Sequence, residues 1–300
     1  MRDAVQFYLI HLCESEKSSF TVSALKTEFL TEQARLQRSP LHQIDLRHRL
    51  DRFCETFGDR SIRTIAPAEI ATWLASLDLS PRSVINFHSK VSSLFGYGLA
   101  RGYLEQNPLS GIKRIKCVDG PPEIFTPGDL RTLLEHAPAA LLPCLAIGAF
   151  AGLRTAEILR LEWQDIDLTS GHLNVRAKVA KTARRRLIVM ADNLRAWLIP
   201  YCAYEGRIWT GDQVGYHLAC QVARKAADIS EWPNNGLRHS FASYHLAKHL
   251  DAPALALDMG HVTPALIFST YREVVTPGSA ERYWQIFPHS PANNIMSMVA

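Results

Sequence analysis

The chain has 300 residues, 47% of them hydrophobic and 21% charged, which excludes a wholly disordered polypeptide and leaves room for two domains, each able to bury its own core. Its net charge of +4 permits an anionic partner without requiring one, so the placement of charge matters more than the total. Six scattered cysteines with no CxxC pair argue against a disulfide framework and for free thiols in a reducing cytoplasm.

Residues 1–19 are read as an N-terminal extension. Their VQFYLIHL run is too short for a signal peptide and has no small-residue cleavage site after it. Val22, Leu25, Phe29 and Leu36, then Leu46, Leu50, Phe53 and Phe57, recur at helical steps. Two more helices are announced by a proline at the first helical position, Pro67 and Pro81, the latter after a capping Ser80. Residues 20–106 thus read as an all-helical domain.

From 107 to 122 the sequence NPLSGIKRIKCVDGPP replaces apolar periodicity with turn formers and basic residues, and the reading is a linker. Lys113, Arg114 and Lys116 there are candidate phosphate contacts. A second domain, 123–300, opens at the cap Thr126-Pro127 and runs into an uncharged stretch from Ala137 to Leu153. Two prolines and many small residues make that stretch a poor membrane span, so it is read as a buried core helix ending at Gly152.

Between Trp163 and Met190 the pattern turns to alternation with Thr169-Ser170-Gly171 as a turn, which predicts a small antiparallel sheet. The segment RAKVAKTARRR (176–186) holds six basic residues and no acid. It is read as a phosphate-facing strip. Helical composition returns at Leu194–Tyr204, Val214–Asp228, Leu237–Leu250 and Leu266–Tyr271. The expected fold class is mainly α, with a helical N-terminal domain and a mostly helical α/β second domain.

Three stretches carry chemistry: AGLRTAEIL at 151–159, LRHSFASYHLA at 237–247 and MGHVTPALIFSTYRE at 259–273. In this order they resemble the tyrosine recombinase (phage integrase) family, and residues 20–285 are similar throughout. The resemblance implies a site-specific DNA recombinase that cleaves and rejoins strands through a 3′-phosphotyrosyl bond, with no metal or cofactor. It places the catalytic set on Arg154, Lys181, Arg238, His261 and the nucleophile Tyr271, and makes the first domain the core-binding domain. It also implies duplex DNA and a homotetramer on two DNA sites as partners, with no membrane and no small-molecule substrate. Related activities in reach are a type IB topoisomerase, a resolvase, and a catalytically weakened DNA-binding relative.

The residue types suit that chemistry. Attack on a phosphodiester builds negative charge on the non-bridging oxygens, which two fork-shaped guanidiniums can clamp. A phenol, with pKa near 10, leaves more readily than a sugar alcohol, so the linkage can be reversed without ATP. Lys181 would protonate the departing 5′ oxygen and His261 would hydrogen-bond the phosphate. Glu157, one turn after Arg154, is expected to orient it, and Lys178, Arg184, Arg185 and Arg186 to bind the DNA backbone. The chain departs from the family at Asn235, where a histidine is usual, and an amide cannot accept a proton at neutral pH. His239, immediately after Arg238, is expected on a different helix face and is not taken as its substitute. The aromatic segment AERYWQIF (280–287) is expected to dock on a neighbouring copy. His245 and His249 stand one helical turn apart but lack a third metal ligand.

Overall fold

The computed structural model describes residues 20–113, 115–116, 120–177, 179, 185–201, 204–260, 263–271 and 275–289. The chain divides between Asp119 and Gly120 into two compact units, each with its own hydrophobic core.

The first unit holds α1 (Val22–Arg35), α2 (Pro40–Phe57), α3 (Pro67–Ala75) and α4 (Pro81–Ala100). The side-chain oxygens of Thr21, Ser39 and Ser80 accept from the backbone N–H groups of Ala24, His42 and Ser83, satisfying donors that a helix start leaves open. Leu25, Leu50, Phe53, Val91 and Phe95 are wholly buried. The Phe53 ring meets Trp73 edge-on at 5.0 Å and Phe95 at 6.0 Å. Leu36, expected on the buried stripe, is 47% exposed, because α1 stops at Arg35 and Leu36 is its C-cap.

The second unit contains α5 (Pro127–Glu135), α6 (Leu142–Ala151), α7 (Thr155–Ile158), strands β1 (Ile166–Asp167), β2 (His172–Val175) and β3 (Arg186–Val189), then α8 (Asp192–Leu198), α9 (Gln213–Ala226), α10 (Gly236–His249), α11 (Ala252–Met259), α12 (Ala265–Tyr271) and α13 (Pro277–Trp284). The strands form an antiparallel sheet in the order β1-β2-β3, with Leu173 opposite both Ile166 and Ile188. Asp167 makes the intervening turn by accepting from the N–H groups of Thr169 and Ser170, both at 2.9 Å. The uncharged stretch is α6, buried from Pro143 to Ala151. No helix among the described residues is long and apolar enough to cross a membrane.

Helix α10 is the hub. It packs on α6, α11, α12 and α13. Ser240 Oγ accepts from the Phe125 N–H at 2.9 Å and the Tyr244 hydroxyl donates to the Phe125 carbonyl at 3.0 Å, tying the start of the unit to the middle of α10.

The docking role expected for 280–287 is corrected here. Tyr283 and Ile286 are wholly buried and Trp284 is nearly so. Tyr283 stacks on Tyr244 at 4.0 Å and donates to the Ala149 carbonyl, and the Trp284 indole donates to the Tyr244 carbonyl at 3.3 Å. A phenol and an indole that find internal acceptors are spent within their own core and are no longer available to a neighbour.

Helix α6 ends on Gly152 at φ +64°, where a Cβ would collide with the Phe241 ring. Gly152→Ala is therefore expected to lower unfolding free energy by about 2–5 kcal/mol, the sum of left-handed strain and overpacking. Urea denaturation measures it; a loss below about 0.5 kcal/mol would show that α10 can shift away from the turn.

Candidate active site

Arg154 is the N-cap of the short helix α7, and the carboxylate of Glu157 reaches back to accept from the Arg154 backbone N–H at 3.1 Å. Its other oxygen accepts from Arg154 Nη1 at 3.2 Å. Arg186, the first residue of β3, approaches the same carboxylate with Nη2 at 2.8 Å and Nη1 at 3.3 Å. Glu157 is wholly buried. Burial pushes its carboxyl up, but the hydrogen bond and charge of Arg186, followed by Arg154, more than offset this and hold it near pKa 2.

Arg186 is thus not a solvent-facing member of a basic strip. Only 9% of its side chain is exposed, and its Nε donates to the Asp258 carbonyl at 2.8 Å. Arg185, just before the strand, is exposed. Lys113 and Lys116 are exposed as well. Lys178, Lys181, Arg184, Arg114 and His261 lie outside the described residues.

Arg238 enters from the first turn of α10 and is 7% exposed. Its Nη1 donates to the Gly152 carbonyl and its Nη2 to the Met259 carbonyl at 2.8 Å. Arg154 Nη1 reaches the Met259 carbonyl too, at 3.4 Å. These carbonyls belong to the C-terminal ends of α6 and α11, each closed by a left-handed glycine, Gly152 or Gly260. Helix C-termini leave carbonyls unsatisfied and carry partial negative charge, so they suit guanidinium partners.

Burial, followed by repulsion from Arg154, pushes the Arg238 guanidinium down to about 9. Burial likewise pushes the Asp258 carboxyl up to about 6, against the pull of Arg186. Three guanidiniums therefore crowd around the carboxyl groups of Glu157 and Asp258, an excess of positive charge that an entering phosphate would relieve.

Tyr271 closes α12. Burial raises its phenol, while the charges of Arg238 and then Arg154 pull it back. Tyr283 and Tyr244, the tyrosines nearest to it in the sequence, lack this setting: Tyr283 is raised by burial and by Tyr244, and the Tyr244 hydroxyl donates to the Phe125 carbonyl. The Tyr271 hydroxyl lies 2.8 Å from His239 Nδ1.

That contact overturns the expectation that His239 faces away from the site. The helix wheel separates Arg238 and His239 correctly, but α12 delivers Tyr271 to the His239 side of α10, while the long Arg238 side chain reaches the helix ends. Asn235 stands before the helix at φ +53° and is exposed. Its amide donates to Asn234 Oδ1 at 3.3 Å.

Arg154, Arg238 and Asn235 line one cleft of about 530 Å³, together with Gln213, His217 and Gln221 of α9. Tyr271 lines a separate apolar groove with Leu250, Phe268 and Val275. No cluster of three or more metal-ligating side chains occurs among the described residues.

Fold and site together describe a mainly helical two-unit protein whose second unit brings Arg154 and Arg238 to one backbone carbonyl and sets a tyrosine hydroxyl against the helix that carries Arg238. Residues 129–276 match the model of the phage integrase family. The chain carries a domain of that family, the tyrosine recombinases. It is similar to the prophage integrase IntR of Escherichia coli (strain K12), 21% identical over 233 residues that cover 63% of this chain and 57% of IntR. It is also similar to the tyrosine recombinase XerC of Xanthomonas campestris pv. campestris (strain B100), 26% identical over 202 residues, 61% of either chain. The chain thus spans less than two thirds of the length of these relatives. Among solved structures it shares the fold of a lambda integrase dimer bound to a COC′ core site, with TM-score 0.72 and 17% identity over 88% of this chain and 80% of that one. A lambda integrase tetramer bound to a Holliday junction gives TM-score 0.70 and 18% identity, covering 85% and 81%.

Removing the shared carboxylate should be costly. Glu157→Gln is expected to lose about 3 kcal/mol of stability at pH 7, the equivalent of holding a carboxyl near 2 rather than 4.5. A depressed carboxyl stabilises above its unfolded pKa, so the gap between the two proteins should close as pH falls from about 4.5 towards 2. Denaturation curves across that range check both; a gap that stays constant down to pH 2 would contradict the pairing.

Proposed function

We propose that this chain cuts and rejoins duplex DNA through a covalent bond between Tyr271 and a 3′ phosphate, as a site-specific recombinase. The observation that carries the reading is the convergence of Arg154 and Arg238 on the Met259 carbonyl, with the Tyr271 hydroxyl held by His239, the residue next to Arg238 on the same helix. Two guanidiniums held in place before the phosphate arrives stabilise the charge that develops on its oxygens, and little reorganisation is needed at the moment of attack.

In this reading Tyr271 Oη attacks phosphorus and the bond to the 5′ oxygen breaks, with Lys181 giving the leaving alcohol its proton and His261 donating a hydrogen bond to the phosphate. Glu157 positions Arg154. Arg186, expected from sequence to bind DNA, becomes a second strut on Glu157, and backbone binding falls to Arg185, Lys178, Arg184, Lys113, Arg114 and Lys116. Asn235, on the cleft wall, contributes a hydrogen bond at most. The helical unit of residues 20–106 serves as the core-binding domain, joined by 107–122 to the catalytic domain of 123–300. The working assembly is a tetramer on two DNA sites, a reading supported by the fold shared with integrases bound to DNA. No step calls for a metal or a cofactor, because the nucleophile, the acid and the charge clamp are all side chains.

The test is covalent trapping. Nicked duplexes with a randomised centre are incubated with the protein, and those held through denaturation are recovered and sequenced. Adducts are expected with the parent, and none with Tyr271→Phe, which should bind the same duplexes equally well because only the attacking oxygen is gone. Failure of the parent to trap any duplex, or adducts that persist in Tyr271→Phe, would refute the assignment.

A further inference from the structure

We infer that His239 is the general base of this site: it takes the Tyr271 proton during attack, the role that Asn235 cannot fill. The inference rests on the covalent chemistry proposed above and adds to it a proton acceptor outside the catalytic set that the resemblance implies.

Geometry carries it. His239 Nδ1 and the Tyr271 hydroxyl are 2.8 Å apart, the hydrogen-bond reach that a proton transfer needs before any rearrangement. The rings are tilted by 43° with centroids 5.6 Å apart, so the contact is edge-on through the nitrogen rather than a stack. With the phenol retaining its proton, Oη–H is the donor and Nδ1 offers its lone pair. Asn235 lies one turn earlier with its amide turned to Asn234. Tyr271 is contacted from α10 by His239 and sensed by Arg238 and Arg154. Among these, only the imidazole can accept a proton at neutral pH.

The surroundings set the base in its working form. Burial, then the charge of Arg238 on the same helix, lowers the pKa of His239, so the ring is neutral at pH 7 with its lone pair available. A phosphate bound between Arg238 and Arg154 would offset the repulsion from Arg238 and make the imidazole more basic as substrate arrives. The atoms balance. The Oη–P bond forms, the phenol O–H bond breaks and its proton passes to Nδ1, giving an imidazolium. The P–O5′ bond breaks and the 5′ oxygen leaves as an alcohol with the proton of the general acid. In religation the imidazolium returns its proton to the departing phenolate.

The decisive variant is His239→Asn, whose amide oxygen can occupy the place of Nδ1 and keep the hydrogen bond without accepting a proton. Single-turnover adduct formation is followed on a nicked duplex recovered with the parent, from pH 5 to 9. The parent rate should fall as pH drops through the His239 pKa, below the ordinary imidazole value of about 6.5. His239→Asn should bind equally well, react about 10²-fold slower or worse, and lose that acid limb. His239→Ala should be partly restored by added imidazole. His261→Gln should keep the limb, which separates the two histidines. A His239→Asn rate equal to or above the parent's would make the contact a mere restraint on Tyr271 and overturn the inference, as would a parent profile without an acid limb. If the parent forms no adduct at all, the covalent reading falls first. If the parent traps DNA, Tyr271→Phe does not, and His239→Asn matches the parent, only the role of His239 falls.

Discussion

The buried carboxylate of Glu157 is the constraint on which the site depends. It binds the backbone and side chain of Arg154 at the start of α7 and the guanidinium of Arg186 at the start of β3, so one charge fixes a helix start and a strand start to each other. Two paired cations keep it ionised despite burial. Arg186 in turn ties the cluster to the end of α11 through the Asp258 carbonyl. The carboxylate is thus a structural counter-ion, and Arg154 and Arg238 are the charges set beside the cleft.

Arg238 is held by a different device. It has backbone carbonyls at the ends of α6 and α11 as acceptors, and both helices end on a glycine in the left-handed region. The glycines in the GLR and GH boxes therefore have a physical reason. They stop two helices so that their last carbonyls point at guanidiniums and help to hold these in place. Burial and the neighbouring charge of Arg154 push the Arg238 guanidinium down, and an anion arriving beside it would favour its charged form.

Much of this was legible in the sequence, where the signal was local. Proline starts, serine and threonine caps, the uncharged stretch that became α6 and the small sheet follow from near-neighbour chemistry, and the boxes pointed to Arg154, Arg238 and Tyr271. What could not be read depended on partners distant in the chain. The run RAKVAKTARRR looks uniformly solvated until Glu157, 29 residues earlier, claims Arg186. A helix wheel gives the direction of His239 but not that α12 brings Tyr271 to meet it, and the only hint was a histidine beside the box arginine where the usual one had become Asn235. Aromatic content in 280–287 announced an anchor without saying whose core it would enter; stacking with Tyr244 answers that.

The central claim is that the arginine cluster and Tyr271 form a single site of covalent chemistry. Mass spectrometry of the trapped complex, after digestion of protein and DNA, tests it most directly. A nucleotide is expected on the tryptic peptide that contains Tyr271. A nucleotide on a peptide carrying another tyrosine, or a complex that releases only unmodified peptides, would contradict it.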